Sequence, residues 1–131
     1  MSDSFTVESV QDGTSLRLRS HDRDFFLAEV RGRGMEAKAR VGTYMSSGFA
    51  EFFTELATHW RGWKGDREWS SLEGELAIRA TADRTGHVYL QVHLHDGAPA
   101  RWKVDAAIVI EAGQLERLAA EARAFEAMVL S

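Results

Sequence analysis

Residues 87–95 alternate without a break. Val88, Leu90, Val92 and Leu94 fall on one side, and His87, Tyr89, Gln91, His93 and His95 on the other. A period of two is the pleat of a β-strand. One apolar side and one polar side mean that a core is covered by one face while the other meets water. Such one-faced strands belong in an antiparallel sheet with a layer over its apolar face.

The same period recurs along the chain. It runs through residues 5–10, through 14–20 with Leu16 and Leu18 inward, and through 35–41, where Met35, Ala37, Ala39 and Val41 alternate with Glu36, Lys38 and Arg40. It returns over 71–82, with Leu72, Leu76, Ile78 and Ala80 inward, and over 102–110, with Trp102, Val104, Ala106, Ile108 and Ile110 inward. Residues 25–31 differ: Phe25-Phe26-Leu27-Ala28 is apolar on both faces, the pattern of an interior strand. Asp12-Gly13, Arg31-Gly32-Arg33-Gly34, Asp83-Arg84-Thr85-Gly86 and Asp96-Gly97-Ala98-Pro99 punctuate the strands as turns.

Twice the period changes to that of a helix. Phe49, Phe52, Phe53, Leu56, Ala57 and Trp60 make one apolar stripe, opened by Ser46-Ser47-Gly48 and closed by Gly62. Leu115, Leu118, Ala119, Ala122 and Phe125 make the other, over residues 113–128. The expected fold is therefore α+β, in the order ββββ-α-βββ-α. It is one domain over residues 1–131, a bent and mainly antiparallel sheet of about seven strands with both helices on its concave face.

The chain contains no cysteine, which excludes disulfides, thiolate metal sites and cysteine nucleophiles. Met1-Ser2-Asp3-Ser4 is polar and acidic, unlike a secretory leader, and no apolar run spans a membrane, so a cytoplasmic location is expected. The net charge of −4 argues against nucleic-acid binding and suits a basic partner.

Three of the four tryptophans lie in one stretch, with Trp60, Trp63 and Trp69 separated by glycines and charges. The bland account is a corner: Trp60 completes the helix stripe, Trp63 folds back on its last turn, and Trp69 anchors the next strand. The charged tip, Lys64, Asp66, Arg67 and Glu68, is candidate contact surface. So is the outward face of the last three strands, through Arg79, Tyr89, Gln91, His93 and Lys103, with Glu73 and Glu75 expected beside them. His87, His93 and His95 share that face, and such a pair can bind a transition metal when a third ligand such as Glu73, Glu75 or Asp105 joins it. No metal motif is present, and the expectation is no metal, no cofactor and no catalytic residues. Gly-x-Ser-x-Gly is absent, and the Arg-Gly-Arg-Gly turn joins two strands, so neither a nucleophile elbow nor a phosphate loop is present.

Five segments together carry a family resemblance. They are Phe49-Ala50-Glu51-Phe52-Phe53, Trp60-Arg61-Gly62-Trp63-Lys64-Gly65, Trp69, Ser71-Leu72-Glu73-Gly74-Glu75-Leu76 and Gly86-His87-Val88. This pattern resembles a small bacterial family of domains of unknown function, similar to the WapI-type immunity proteins of contact-dependent toxin systems. The resemblance implies a non-enzymatic protein that binds and neutralises a cognate toxin. It carries over no active-site residues. The alternative is a small-molecule binder with an apolar pocket between the sheet and Trp60, Trp63, Trp69 and Trp102.

Overall fold

A computed structural model describes residues 4–44, 48–97 and 99–130. Ser46 and Ser47, part of the expected helix start, lie outside the described residues. The fold is α+β, and the described residues form eight strands where seven were expected, in two sheets in place of one bent sheet.

The first sheet is a meander of β1 (Ser4–Glu8), β2 (Ser15–Ser20), β3 (Phe25–Gly32) and β4 (Met35–Gly42), all antiparallel neighbours. The doubly apolar β3 is interior, between β2 and β4. After helix α1 (Phe49–Thr58), the second meander follows: β5 (Arg67–Ser70), β6 (Leu76–Ala82), β7 (His87–His95) and β8 (Lys103–Glu111). A 3-10 turn at Ala112–Gln114 leads into α2 (Leu115–Phe125), which ends in a π-turn at Glu126–Leu130. Glu111 and Gln114 cap that turn reciprocally. Among the described residues, no helix is long and apolar enough to cross a membrane.

One core joins these layers. Phe5 and Val7 of β1, Leu16 and Leu18 of β2, Phe26, Ala28 and Val30 of β3 and most inward residues of β6 to β8 are buried. Helix α1 adds Phe49, Phe52, Phe53 and Leu56; α2 adds Leu115, Leu118, Ala119, Ala122 and Phe125. The helices lie antiparallel, since the Ala50 amide donates to Glu126 at 3.0 Å and Arg123 donates to Thr54 at 3.0 Å. Phe49 is the hub, with ring centroids of Phe5, Phe53, Trp69 and Phe125 at 5.1, 5.2, 5.1 and 6.2 Å.

Two clamps hold the sheets together. At one edge, Val10 N–H donates to the Val109 carbonyl at 2.8 Å, and Val109 N–H donates to the Ser9 hydroxyl at 3.1 Å. At the other, Glu75 accepts from Gly42 N–H at 3.3 Å and from the Ser71 hydroxyl at 2.8 Å. The outward faces are half-buried or exposed along most of their length, as one-faced alternation requires. An exception is Glu29, buried on the outer face of the first sheet between Arg31 and Lys38, each 3.4 Å away.

Candidate functional site

The eighth strand, β5, is what builds the site. Arg67-Glu68-Trp69-Ser70 is too short and too charged to read as a strand by alternation alone, yet it pairs with β6 from Arg67↔Ala80 to Ser70↔Ala77. Trp69 points inward and is 8% exposed, against Phe49. Glu68 and Ser70 therefore point outward. They complete two rows across the outer face of the second sheet: Glu68, Arg79, Gln91, Ala107 and Ser70, Ala77, His93, Asp105.

The short Ala77 side chain between Ser70 and His93 leaves a depression. Glu68, Ser70, Arg79, Gln91, His93 and Asp105 supply its polar lining, and its volume is about 330 Å³. Arg79 bridges this groove to the preceding loop, with its guanidinium 3.8 Å from both Asp66 and Glu68. These pairs are exposed and add little stability.

A hydrogen-bonded chain crosses the far side of the groove. Asp105 lies 3.1 Å from His93 Nδ1, and His93 Nε2 lies 3.1 Å from His95 Nδ1. His87 is elsewhere, near Thr85 and Asp83 in the β6–β7 hairpin. The Asp83 carboxylate accepts from the His87 amide, the Tyr89 hydroxyl and the Thr85 amide and hydroxyl. These donors, led by the His87 amide, hold its carboxyl well below the usual carboxylate range. Donating to that carboxylate pushes the Tyr89 phenol up.

The nine expected contact residues therefore divide. Glu68, Arg79, Gln91 and His93 converge on the groove, and Asp66 adjoins them through Arg79. Lys64 is exposed in the loop leading to β5, and Lys103 lies opposite His95 on the same face. Tyr89 is committed to Asp83 through its hydroxyl. Arg67 turns towards α1, where it pairs with Glu55. Glu73 and Glu75, expected beside the histidines on a strand, sit in the β5–β6 connection instead, although the Glu75 carbonyl accepts from His95 N–H at 2.9 Å. Asp105 is expected on this outward face and as a possible ligand, whereas Ser70 has no expected role. Its signal was the outward position next to Trp69, visible only once β5 is known to be a strand.

The tryptophans do not gather around one pocket. Trp60 lies beyond the end of α1 and is 54% exposed, under the Arg61 guanidinium at 5.2 Å. Trp63 is half-buried and donates through Nε1 to the Ala80 carbonyl of β6 at 3.3 Å, rather than packing on the last helical turn alone. Trp102 sits beside Ala37 and Val104, near the edge of the first sheet. Leu72, expected inward, is 54% exposed in the β5–β6 connection.

A family profile matches residues 7–128, which takes in both sheets and both helices. The chain belongs to the DUF6228 family, a family of unknown function. No curated protein and no solved structure matches it. Several motif residues of this DUF6228 member have structural roles. Phe49, Phe52 and Phe53 are core, Ser71 and Glu75 form a clamp between the sheets, and Gly62 and Gly74 take the left-handed backbone that favours glycine.

Proposed function

We propose that this protein is a non-catalytic binding protein of the immunity type, and that it engages a protein partner through the outer face of its second sheet. The supporting observation is the groove lined by Glu68, Ser70, Arg79, Gln91, His93 and Asp105, continuous through Arg79 with Asp66 in the preceding loop. It is polar, it sits on rigid paired strands, and its charged groups are held by long, exposed pairs that a partner can replace. Asp66 and Glu68 lie beside Arg79, and Asp105 lines the same groove, so carboxylates outnumber the one guanidinium there and a basic partner surface fits best. Contact of ordinary size takes on the order of 800 Å² from each side, which requires the flanking strands and loop as well as the groove. The motif's similarity to toxin-neutralising proteins selects the immunity reading, with a cognate toxin as partner.

The test is capture of the product of the adjacent gene by the purified protein, compared with the variants Arg79→Glu and Gln91→Arg. Both side chains are exposed, so both variants keep the fold. Tight binding by the parent and at least a tenfold loss in each variant are expected. No capture by the parent, or capture unchanged in both variants, refutes the reading. A small polar ligand is the second reading, favoured by a groove volume at the lower end of the roughly 300–1,000 Å³ usual for ligand sites.

A further inference from the structure

We propose that His93 and His95 form a chelate for a divalent cation of the copper, nickel and zinc class, with Asp105 as the orienting residue. Two of its three side chains, His93 and Asp105, also line the groove, but the inference does not depend on a partner docking there.

Residues two apart on a strand share a face, which brings the rings together. Their centroids are 5.3 Å apart with an interplanar angle of 62°. His93 Nε2 and His95 Nδ1 converge to 3.1 Å. Two metal–nitrogen bonds of about 2.0–2.1 Å spanning that separation meet at about 100°. This lies between the square-planar and tetrahedral angles, and each ring must turn so that its lone pair points at the cation and not at the other ring. A cation sits about 1.3 Å off the line joining the two nitrogens. Among side chains, imidazole suits this class of cation, whose affinities peak at copper.

Asp105 adds what a pair of surface histidines lacks. It lies 3.1 Å from His93 Nδ1, and a carboxylate only accepts, so Nδ1 carries the proton. The lone pair of neutral His93 is then on Nε2, facing His95. This is the carboxylate–histidine arrangement that orients metal ligands. In the cation-free state His95 Nδ1–H donates to that lone pair. On binding, the His95 proton moves to its Nε2, freeing Nδ1 to ligate, and the imidazoles stay neutral.

The surrounding charge is mixed. Glu73, Glu75 and Asp96 share a shallow cavity with His95 and favour a cation there; Arg40, in the same cavity, and Lys103, opposite His95, oppose it. No group of three acidic or histidine ligands is assembled among the described residues, so water or an incoming donor fills the other positions.

Calorimetric titration of the full chain with copper(II), nickel(II) and zinc(II) chlorides, in a non-coordinating buffer, tests this. One equivalent is expected to bind, copper most tightly. His93→Ala and His95→Ala should each weaken binding at least tenfold, and Asp105→Asn by about 10–100-fold. His59→Ala and His87→Ala should leave it unchanged, and circular dichroism should show all variants folded. The copper(II) spin-resonance spectrum should show coupling to two imidazole nitrogens. No stoichiometric binding of any of the three cations overturns the proposal. So does affinity unchanged in His93→Ala or in His95→Ala, or lost in His59→Ala or His87→Ala. Unchanged affinity in Asp105→Asn removes Asp105 from the site.

Discussion

Replacing Ser71 by alanine removes one oxygen from a corner that is 1% exposed. That hydroxyl accepts from Leu76 N–H at 3.2 Å and donates to Glu75 at 2.8 Å. Leu76 is fully buried, so its amide has no route to water after the change. An unsatisfied buried donor costs about 1–3 kcal/mol. Glu75 also loses a partner, but it keeps Gly42 N–H and is only half-buried, which limits that share to about 0.5 kcal/mol. The sum is about 1.5–3.5 kcal/mol, centred on about 2.5 kcal/mol. Unfolding entropy near 2.1 cal/mol/K per residue makes each kcal/mol worth about 4 °C in a chain of this length, so the melting midpoint should fall by about 9 °C. Glu75→Gln keeps one acceptor oxygen and should cost about 1 kcal/mol. Urea unfolding with coincident fluorescence and circular-dichroism transitions measures both. If Ser71→Ala melts within about 2 °C of the parent, the buried-amide reasoning fails. The Ser-Leu-Glu-Gly motif would then have to be explained by binding and not by folding.

Three further outcomes follow from the same geometry. Phe49→Ala should lose about 3–5 kcal/mol in urea unfolding, because four aromatic rings close around Phe49 and cannot collapse into the void. Trp60→Ala should change stability by less than about 0.5 kcal/mol by the same measurement, since the indole is over half exposed. Asp83 is held below the ordinary carboxylate range in the folded state. Its contribution is therefore present above the unfolded value of about 3.9 and is lost as pH falls below it. Asp83→Asn should be less stable than the parent at neutral pH and show a shallower decline below about pH 4 in acid-unfolding curves.

The sequence reading succeeded where one period ran unbroken and failed where local closure overrode it. All seven expected strands and both helices exist, because Leu16 and Leu18, or Val88 to Leu94, leave only one way to face a core. Leu72 was placed inward by extending the β6 pattern backwards. In the structure, Ser71 N–H bonds to the Leu76 carbonyl and pinches the chain into a loop, so the alternation has no sheet to act on at Leu72. Trp60 continues the helical period, but the helix stops at Thr58, with Gly62 at positive φ just beyond. β5 is the costliest omission, because it supplies Glu68 and Ser70 to the groove. Four residues with charge at two of them carry too little periodicity to be heard. The Asp105–His93–His95 chain depends on strand register and could be read only as a shared face.

The division between one sheet and two bears on what the family pattern encodes. A single bent sheet would turn through bulges or glycine kinks within its strands. Two sheets need polar joints, and each joint here buries hydrogen-bonding groups that must be satisfied. Ser9 serves one joint through the Val109 amide; Ser71 and Glu75 serve the other through Leu76 and Gly42. Gly48 has a φ of 91°, which would strain any other residue, while an added Cβ would meet the Trp69 indole only at ordinary contact distance. These requirements follow from holding two meanders around α1, whatever the protein binds. The proposed contact residues Glu68, Arg79 and Gln91 make no comparable demand: their outer face is solvated, and almost any polar side chain would fold there. Motif residues such as Ser71 and Glu75 therefore serve the architecture, and the proposed contacts lie where the architecture sets few constraints.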